Sequence, residues 1–446
     1  MQNQVQKIES PAPQRIVIVG GGAGGLALAT QLGKKLGRKK LAEVTLVDAA
    51  RTHVWKPLLH QLAAGSFDTH AEEIEYLAQA RWNHFRFRLG SLVGIDRAAR
   101  TVQLAPSHDA RGLEITPAQT LGYDILVLAV GSQTNDFGTP GAAEHAIKLD
   151  SPAAARAFND RLINACIRAQ THADAAERLT VAIVGGGATG VELAAELHAA
   201  AHVLASYGLE RVNPETDLKI VLVEAAPRLL VQLPERLGDS AVRELRKLSI
   251  DVHTSEKVVE VSAAGLRMAS GREVPATIVV WAAGVKAADF LQTLGAPDLL
   301  ETNRLNQLAV DGNLRSSRDP RIFAFGDCAA CPQPGGGFVP PRAQSAYQQA
   351  MYLARHLVDL AAGKKVPPYL YQDQGSLVSL ADYSSVGSLM GSLTRGSLFV
   401  EGQLAKLMYW GLHKQHQLAL GGLKKTALIT LSELLDRAHR PKIKLH

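Results

Sequence analysis

Cysteine is scarce in this chain of 446 residues, which has only Cys166, Cys328 and Cys331. So low a count excludes a disulfide framework and fits a reducing compartment such as the cytoplasm. Cys328 and Cys331 form a C-x-x-C, but no further cysteine pair or nearby histidine offers the ligands a metal needs, so no metal is expected. Long apolar runs are also missing. The longest, at 125–130 and 278–285, fall far short of the roughly 20 residues that span a bilayer, and they read as buried strands. The opening MQNQVQKIESPAPQ lacks the apolar stretch of a signal peptide, so none is expected. Excess charge is absent from most of the chain. Residues 395–446 carry nine basic and three acidic side chains, which accounts for the whole net charge of +6. No basic patch is interleaved with aromatics, so nucleic acid is not the expected partner, and a basic tail favours an anionic membrane surface. With 46% hydrophobic and 20% charged residues the chain is globular, and its length suggests two to three domains.

The stretch at 16–32, IVIVGGGAGGLALATQL, reads as strand, tight turn and helix. Gly20, Gly22 and Gly25 fill a G-x-G-x-x-G frame around Ala23 and Gly24. In such a frame the first glycine permits the turn, the second lets backbone approach a pyrophosphate, and the third allows close helix–strand contact. A diphosphate would sit on the helix N-terminus. The strand at 44–47 ends in Asp48, whose carboxylate can take ribose hydroxyl hydrogen bonds. The segment at 51–60 follows directly and contains Trp55, Lys56 and Pro57, so it is expected to reach over the ring end of a cofactor. The strand at 123–131 ends in Gly131, at the carboxyl edge of the same sheet.

The opening motif then recurs. VAIVGGGATGVEL begins at Val181 and places Gly185, Gly187 and Gly190 in the same frame; its second strand ends in Glu224 where the first copy has Asp48. Two such frames imply two dinucleotides. A carboxylate at Glu224 favours a free ribose 2′-hydroxyl and so NADH over NADPH, although Arg228 lies close by in sequence. Residues 71–80, 151–177 and 237–248 read as helices and 252–268 as a β-meander. A strand at 277–284 ends in Gly284 as 123–131 ends in Gly131. Cys166 falls on an apparent surface helix. Further on, RIFAFGDCAA puts Gly326 and Asp327 after an apolar strand, where backbone N–H groups and a carboxylate could meet the ribityl and pyrophosphate part of a flavin. Two Rossmann-like dinucleotide-binding domains follow, the second inserted in the first. The FAD domain is expected at 1–148 and 286–385, the NADH domain at 149–285, and a C-terminal membrane-association region at 386–446.

That last region is amphipathic. Leu404, Leu407, Met408, Gly411, Leu412 and Leu418 share one helical face opposite Gln403, Lys406, His413, Lys414 and Gln417, and Leu428, Leu431 and Leu435 continue the pattern. Such helices lie in a membrane interface with lysines at the headgroups. The same apolar face would serve ordinary helix packing or a homodimer instead.

GGGAGG, GGGATG and FAFGD, in that order, resemble the flavoproteins with two dinucleotide-binding domains. KPLLH at 56–60, GGGATGVELAAEL at 185–197, IFAFGDCA at 322–329 and RAQSAYQ at 342–348 narrow the resemblance to the bacterial type II NADH:quinone oxidoreductases, over essentially the whole chain. The resemblance implies non-covalent FAD, oxidation of NADH and reduction of a membrane quinone such as ubiquinone without proton pumping. It also implies a peripheral place on the cytoplasmic face of the inner membrane. In that family an A-Q-x-A-x-Q segment lies by the quinone entrance, which here assigns Gln344 and Gln348. The acidic residue that the family often carries before W-A-A-G is replaced by Ala276-Thr277. Glu192, at the start of the second cradle's helix, is the carboxylate expected to meet nicotinamide and flavin. It could instead be a residue stabilised by the helix dipole. Two other readings remain: a membrane-docked NADH sensor, and a sulfide:quinone-type enzyme, for which the cysteines are poorly arranged.

Overall fold

The computed structural model describes residues 12–68, 72–109, 111–171, 179–207, 217–381, 383–391 and 394–436. Two compact units form. Residues 1–53, 74–131 and 287–370 make the first, and residues 54–73, 132–286 and 371–446 the second.

The first unit is built on a five-stranded parallel sheet in the order Ile322–Ala324, Ile125–Leu128, Gln14–Val19, Ala42–Asp48, Arg86–Leu89. Ile16 to Val19 and Ile125 to Leu128 are buried on both faces, which is why these strands read as continuous apolar runs instead of alternating ones. The chain leaves the central strand Gln14–Val19 towards one side and returns on the other. Its carboxyl end is therefore the switch point where an open α/β sheet binds ligands. Helix Ala23–Leu32 starts there. A separate antiparallel sheet joins Ser91–Asp96, Thr101–Ala105 and Gln119–Gly122.

The second unit repeats this plan. Its parallel sheet runs Ala146–Lys148, Ile278–Trp281, Leu179–Val184, Leu218–Val223, Asp251–His253, again with the glycine-ended strand in the middle. The expected meander is displaced: Asp251–His253 joins the parallel sheet, and the antiparallel sheet is Val258–Ser262, Gly265–Met268 and Glu273–Pro275. The helix expected at 71–80 is Tyr76–Asn83 in the first unit. It follows a short strand, Ile74–Glu75, that pairs with Thr52–His53; this long-range pairing leaves no periodic trace in the sequence. Ala71 lies outside the described residues. Helix Pro152–Thr171 turns Ala155, Phe158, Leu162 and Cys166 into the core of the second unit, so Cys166 is buried and not on a surface.

The second unit ends in an antiparallel sheet, Gly375–Leu380, Ser384–Gly391 and Thr394–Glu401, followed by helix Gln403–Asp436. This last helix is interrupted at Gly422 (φ 73°, ψ 173°). Lys414 Nζ meets Glu433 Oε2 at 2.5 Å, whereas two residues that far apart on one straight helix would sit roughly 28 Å apart. The segment therefore folds back on itself as a hairpin. Its polar face turns inward. His416 and Gln417 are buried, and Trp55 stacks on both His413 (5.5 Å) and His416 (5.3 Å). Lys414 is held by Glu433 and Gln417, not extended toward headgroups. Leu404, Leu407, Leu412, Leu418, Leu423, Leu428, Leu431 and Leu435 all remain exposed. Arg437, Arg440, Lys442 and Lys444 of the basic tail lie outside the described residues. Among those that are described, no helix is long and apolar enough to cross a membrane.

Candidate active site

In the first unit Gly20 has φ +103°, and its N–H bonds Val47 O at 2.8 Å, closing the turn onto the neighbouring strand. A side chain at Gly25 would lie 1.8 Å from Gly20 O, so only glycine lets the helix start this close. At Gly22 a Cβ would meet nothing within 4 Å. The frame is therefore crowded where strand and helix cross and open where a pyrophosphate would approach, on the N-terminal side of helix Ala23–Leu32.

Asp48 accepts the N–H of Gly21 at 2.6 Å and that of Ala50 at 2.7 Å. Burial raises its carboxyl above the ordinary range, against the opposing pull of these N–H groups. The other side of Gly21 is held by two residues that the motif does not contain: Tyr76 OH donates to Gly21 O at 2.8 Å, and His53 Nδ1 lies 2.9 Å from the same oxygen. Burial pushes His53 down to about 4, so its imidazole is neutral and Nδ1 carries the donated hydrogen.

The turn at Gly326–Cys328 and the A-Q-x-A-x-Q segment are brought to this same cradle. Helix Ala343–Ala361 begins with that segment. A Cβ at Gly24 would lie 2.8 Å from Ala346 O, and one at Gly326 would lie 3.3 Å from Ala346 Cβ. Gly326 N–H donates to Gln349 Oε1 at 2.8 Å, and Gln307 Nε2 donates to Asp327 O at 3.1 Å. Gln349 is the buried support of the turn, and its place one residue after the family segment was the available signal. Gln344 and Gln348 are half-buried on the first turns of the same helix, and Tyr369 OH reaches Gln348 Oε1 at 3.4 Å. A Cβ at Gly131 (φ +74°) would meet nothing within 4 Å, and the residue lies at the sheet's carboxyl edge as expected. Cys328 and Cys331 are free, and burial pushes both thiols up to about 11. Neither is a ready nucleophile.

The second cradle repeats the first almost atom for atom. Gly185 has φ +114°, and its N–H bonds Val223 O at 2.8 Å. A Cβ at Gly190 would lie 1.9 Å from Gly185 O, and one at Gly187 would meet nothing within 4 Å. Glu224 accepts Gly186 N–H at 2.5 Å and Ala226 N–H at 2.8 Å. Gly284 (φ +67°) ends its strand against the ring of Phe137. Arg228, close to Glu224 in sequence, is committed elsewhere: its guanidinium caps the carbonyls of Leu230, Val231 and Leu233 at 2.9–3.2 Å.

Glu192 is not at the open mouth of a helix end but buried on the second turn of Ala188–Ser206. It accepts Ser379 N–H at 3.0 Å, and His60 Nδ1 lies 3.5 Å from its other oxygen. Burial pushes its carboxyl up to about 8, so the helix dipole does not hold it ionised at neutral pH. Burial pushes His60 down to about 4. Lys56, four residues before His60, is exposed and donates to Ser132 O at 2.7 Å.

The profile of the Pyridine nucleotide-disulphide oxidoreductase family matches residues 14–350, which include both cradles. The type II NADH:quinone oxidoreductase of Haemophilus influenzae is 41% identical over 447 aligned residues, covering 97% of this chain and 100% of that protein. The chain belongs to the type II NADH:quinone oxidoreductases. The Mycobacterium tuberculosis member NdhA is 29% identical, with 90% of this chain and 82% of that protein covered. Among solved structures, Plasmodium falciparum NDH2 in complex with NADH shares the fold, with a TM-score of 0.79 at 18% identity, covering 97% of this chain and 100% of that one.

Proposed function

We infer that this member of the family oxidises NADH and reduces a quinone to quinol, with FAD in the first cradle and NADH in the second. The observation that carries the assignment is the open space at Gly22 and Gly187, each at a helix N-terminus beside a carboxylate-ended strand. When bound, FAD supplies the chemistry that divides the reaction into electron uptake from the nicotinamide and delivery to the quinone.

The chain's own residues bind and orient. Gly20, Gly22, Ala23, Gly24 and Gly25 cradle the flavin's pyrophosphate. Asp48 faces its ribose, and Asp327 and Gly131 edge the remainder of the cofactor. Lys56 is assigned to the ring end. Gly185, Gly187, Gly190 and Gly284 receive NADH. Glu224 has acceptor capacity beyond its two backbone bonds for a ribose 2′-hydroxyl, and the Arg228 guanidinium is turned to backbone carbonyls. That arrangement supports NADH over NADPH. Gln344 and Gln348, on a helix that begins at the flavin cradle, support a quinone headgroup there. Glu192, protonated at neutral pH, is assigned to proton handling or gating between the half-reactions.

The hairpin of residues 403–436 supports peripheral membrane association. It buries its polar face and exposes eight leucines, the reverse of a helix packed on a water-facing surface. The basic residues of the tail favour the anionic cytoplasmic face. The test is direct. The purified protein should be yellow, bleach with NADH, and recover its colour on adding a quinone. A reduced flavin that persists with quinone present would point to the sensor reading and overturn the assignment.

A further inference from the structure

A set of polar groups closes around Glu192 within the second unit. Glu196 follows it by one helical turn, so both carboxylates leave the same face of Ala188–Ser206, and both are buried. Ser66 Oγ donates to Glu196 Oε1; Ser66 is itself half-buried, on the wetter side of this pair. Glu72 and the tail's Tyr409 complete the surroundings. Burial, followed by the charges of Glu192, Glu196 and Glu72, raises the Tyr409 phenol well above its ordinary range. Tyr409 OH and His60 Nε2 are buried here without a hydrogen-bond partner. Orphaned polar atoms beside buried carboxylates are where ordered water is held.

The overall reaction, NADH + H+ + quinone → NAD+ + quinol, draws one proton from solvent in each turnover. We propose that Ser66 and Glu196 form the inlet that carries this proton to the Glu192–His60 pair, with water held by Tyr409 and His60 completing the path. The proposal rests on the NADH:quinone reading. In one cycle Ser66 Oγ passes its hydrogen to Glu196 and takes another from solvent. Glu196 passes a proton to Glu192, which releases one inward. One proton enters, one leaves, and no relay group is oxidised or reduced. The path runs from half-exposed to fully buried groups, and like charge on Glu196 keeps Glu192 proton-loaded.

The test uses the FAD-loaded enzyme with Glu196→Gln, Ser66→Ala and Ser66→Thr. Infrared titration, with the Glu192 carboxylic-acid band assigned by its loss in Glu192→Gln, reads the carboxyl directly. Removing the Glu196 charge is expected to move that midpoint down by roughly one pH unit. Stopped-flow mixing separates the half-reactions. Glu196→Gln and Ser66→Ala are expected to slow quinone-driven reoxidation at least roughly tenfold, leaving NADH bleaching at the parent rate, and Ser66→Thr should restore it. An unmoved Glu192 band together with parent-like reoxidation overturns the inlet. So does equal slowing of both half-reactions, which marks a structural role. A parent enzyme that bleaches with NADH but is not reoxidised by quinone overturns the underlying reading as well.

Discussion

Glu224 holds the backbone N–H of Gly186 at 2.5 Å and so ties the second cradle's turn to the end of the neighbouring strand. Replacing it with alanine leaves that N–H and the one at Ala226 without their acceptor, at a cost of about 1–3 kcal/mol. Glu224→Ala is expected to raise the KM for NADH roughly 10- to 100-fold, with the NADH-over-NADPH preference shrinking. Steady-state kinetics with both nucleotides checks this. A KM for NADH unchanged from the parent removes Glu224 from the nucleotide site.

The glycines of the first cradle separate into two kinds. Gly25→Ala drives a methyl into Gly20 O and should yield protein that is both less stable and colourless. Gly22→Ala puts its methyl into open space, so the fold should survive while flavin retention falls. Melting temperature and the ratio of flavin to protein absorbance read the two effects separately. Full flavin content in Gly22→Ala would sink the placement of the pyrophosphate.

Much of this was legible because the cradle is contiguous in sequence. Gln14 to Leu32 form strand, turn and helix locally, and Asp48 is one crossover away. Tyr76, His53 and Gln349, which finish the site, arrive through tertiary contacts that no periodicity encodes. The same is true of the buried setting of Glu192. Its neighbours come from the segment at 59–72, the sheet strand Gly375–Leu380 and the tail hairpin, so helix position alone suggested a more exposed role. The hairpin was hidden by an apolar pattern that continues through the turn, although the pair Gly421-Gly422 marked the break.

Acid and base should weaken the fold by different groups. His53, His60 and His413 are each pushed by burial to about 4 from 6.5, so below pH 6.5 the unfolded chain binds protons that the folded chain excludes. Their contribution to stability is lost as pH falls toward 4. Glu192, raised to about 8 from 4.5, acts in the opposite direction: its contribution is present below 4.5 and is lost as pH rises through 8. His53→Asn, which keeps a donor for Gly21 O without a titrating ring, should flatten the acid limb, and Glu192→Gln the alkaline one. Melting curves across pH measure both slopes; unaltered limbs in these variants would contradict the assignment.

Removing everything after Phe399 should release the enzyme from membranes, and Leu428→Glu with Leu431→Glu should weaken vesicle binding while turnover with a water-soluble quinone analogue persists. Sedimentation with anionic vesicles is the measurement. A truncated protein that still sediments would assign membrane contact to another surface.

Gly422 occupies a region of backbone conformation that is essentially closed to residues bearing a Cβ. Any other residue there favours a single rod of 34 residues, roughly 51 Å long, in place of two short arms. Such a rod would separate Lys414 from Glu433 and carry one arm away from the other. One hydrogen atom in place of a methyl group at Gly422 thus sets how far the leucine-bearing end of the chain can extend.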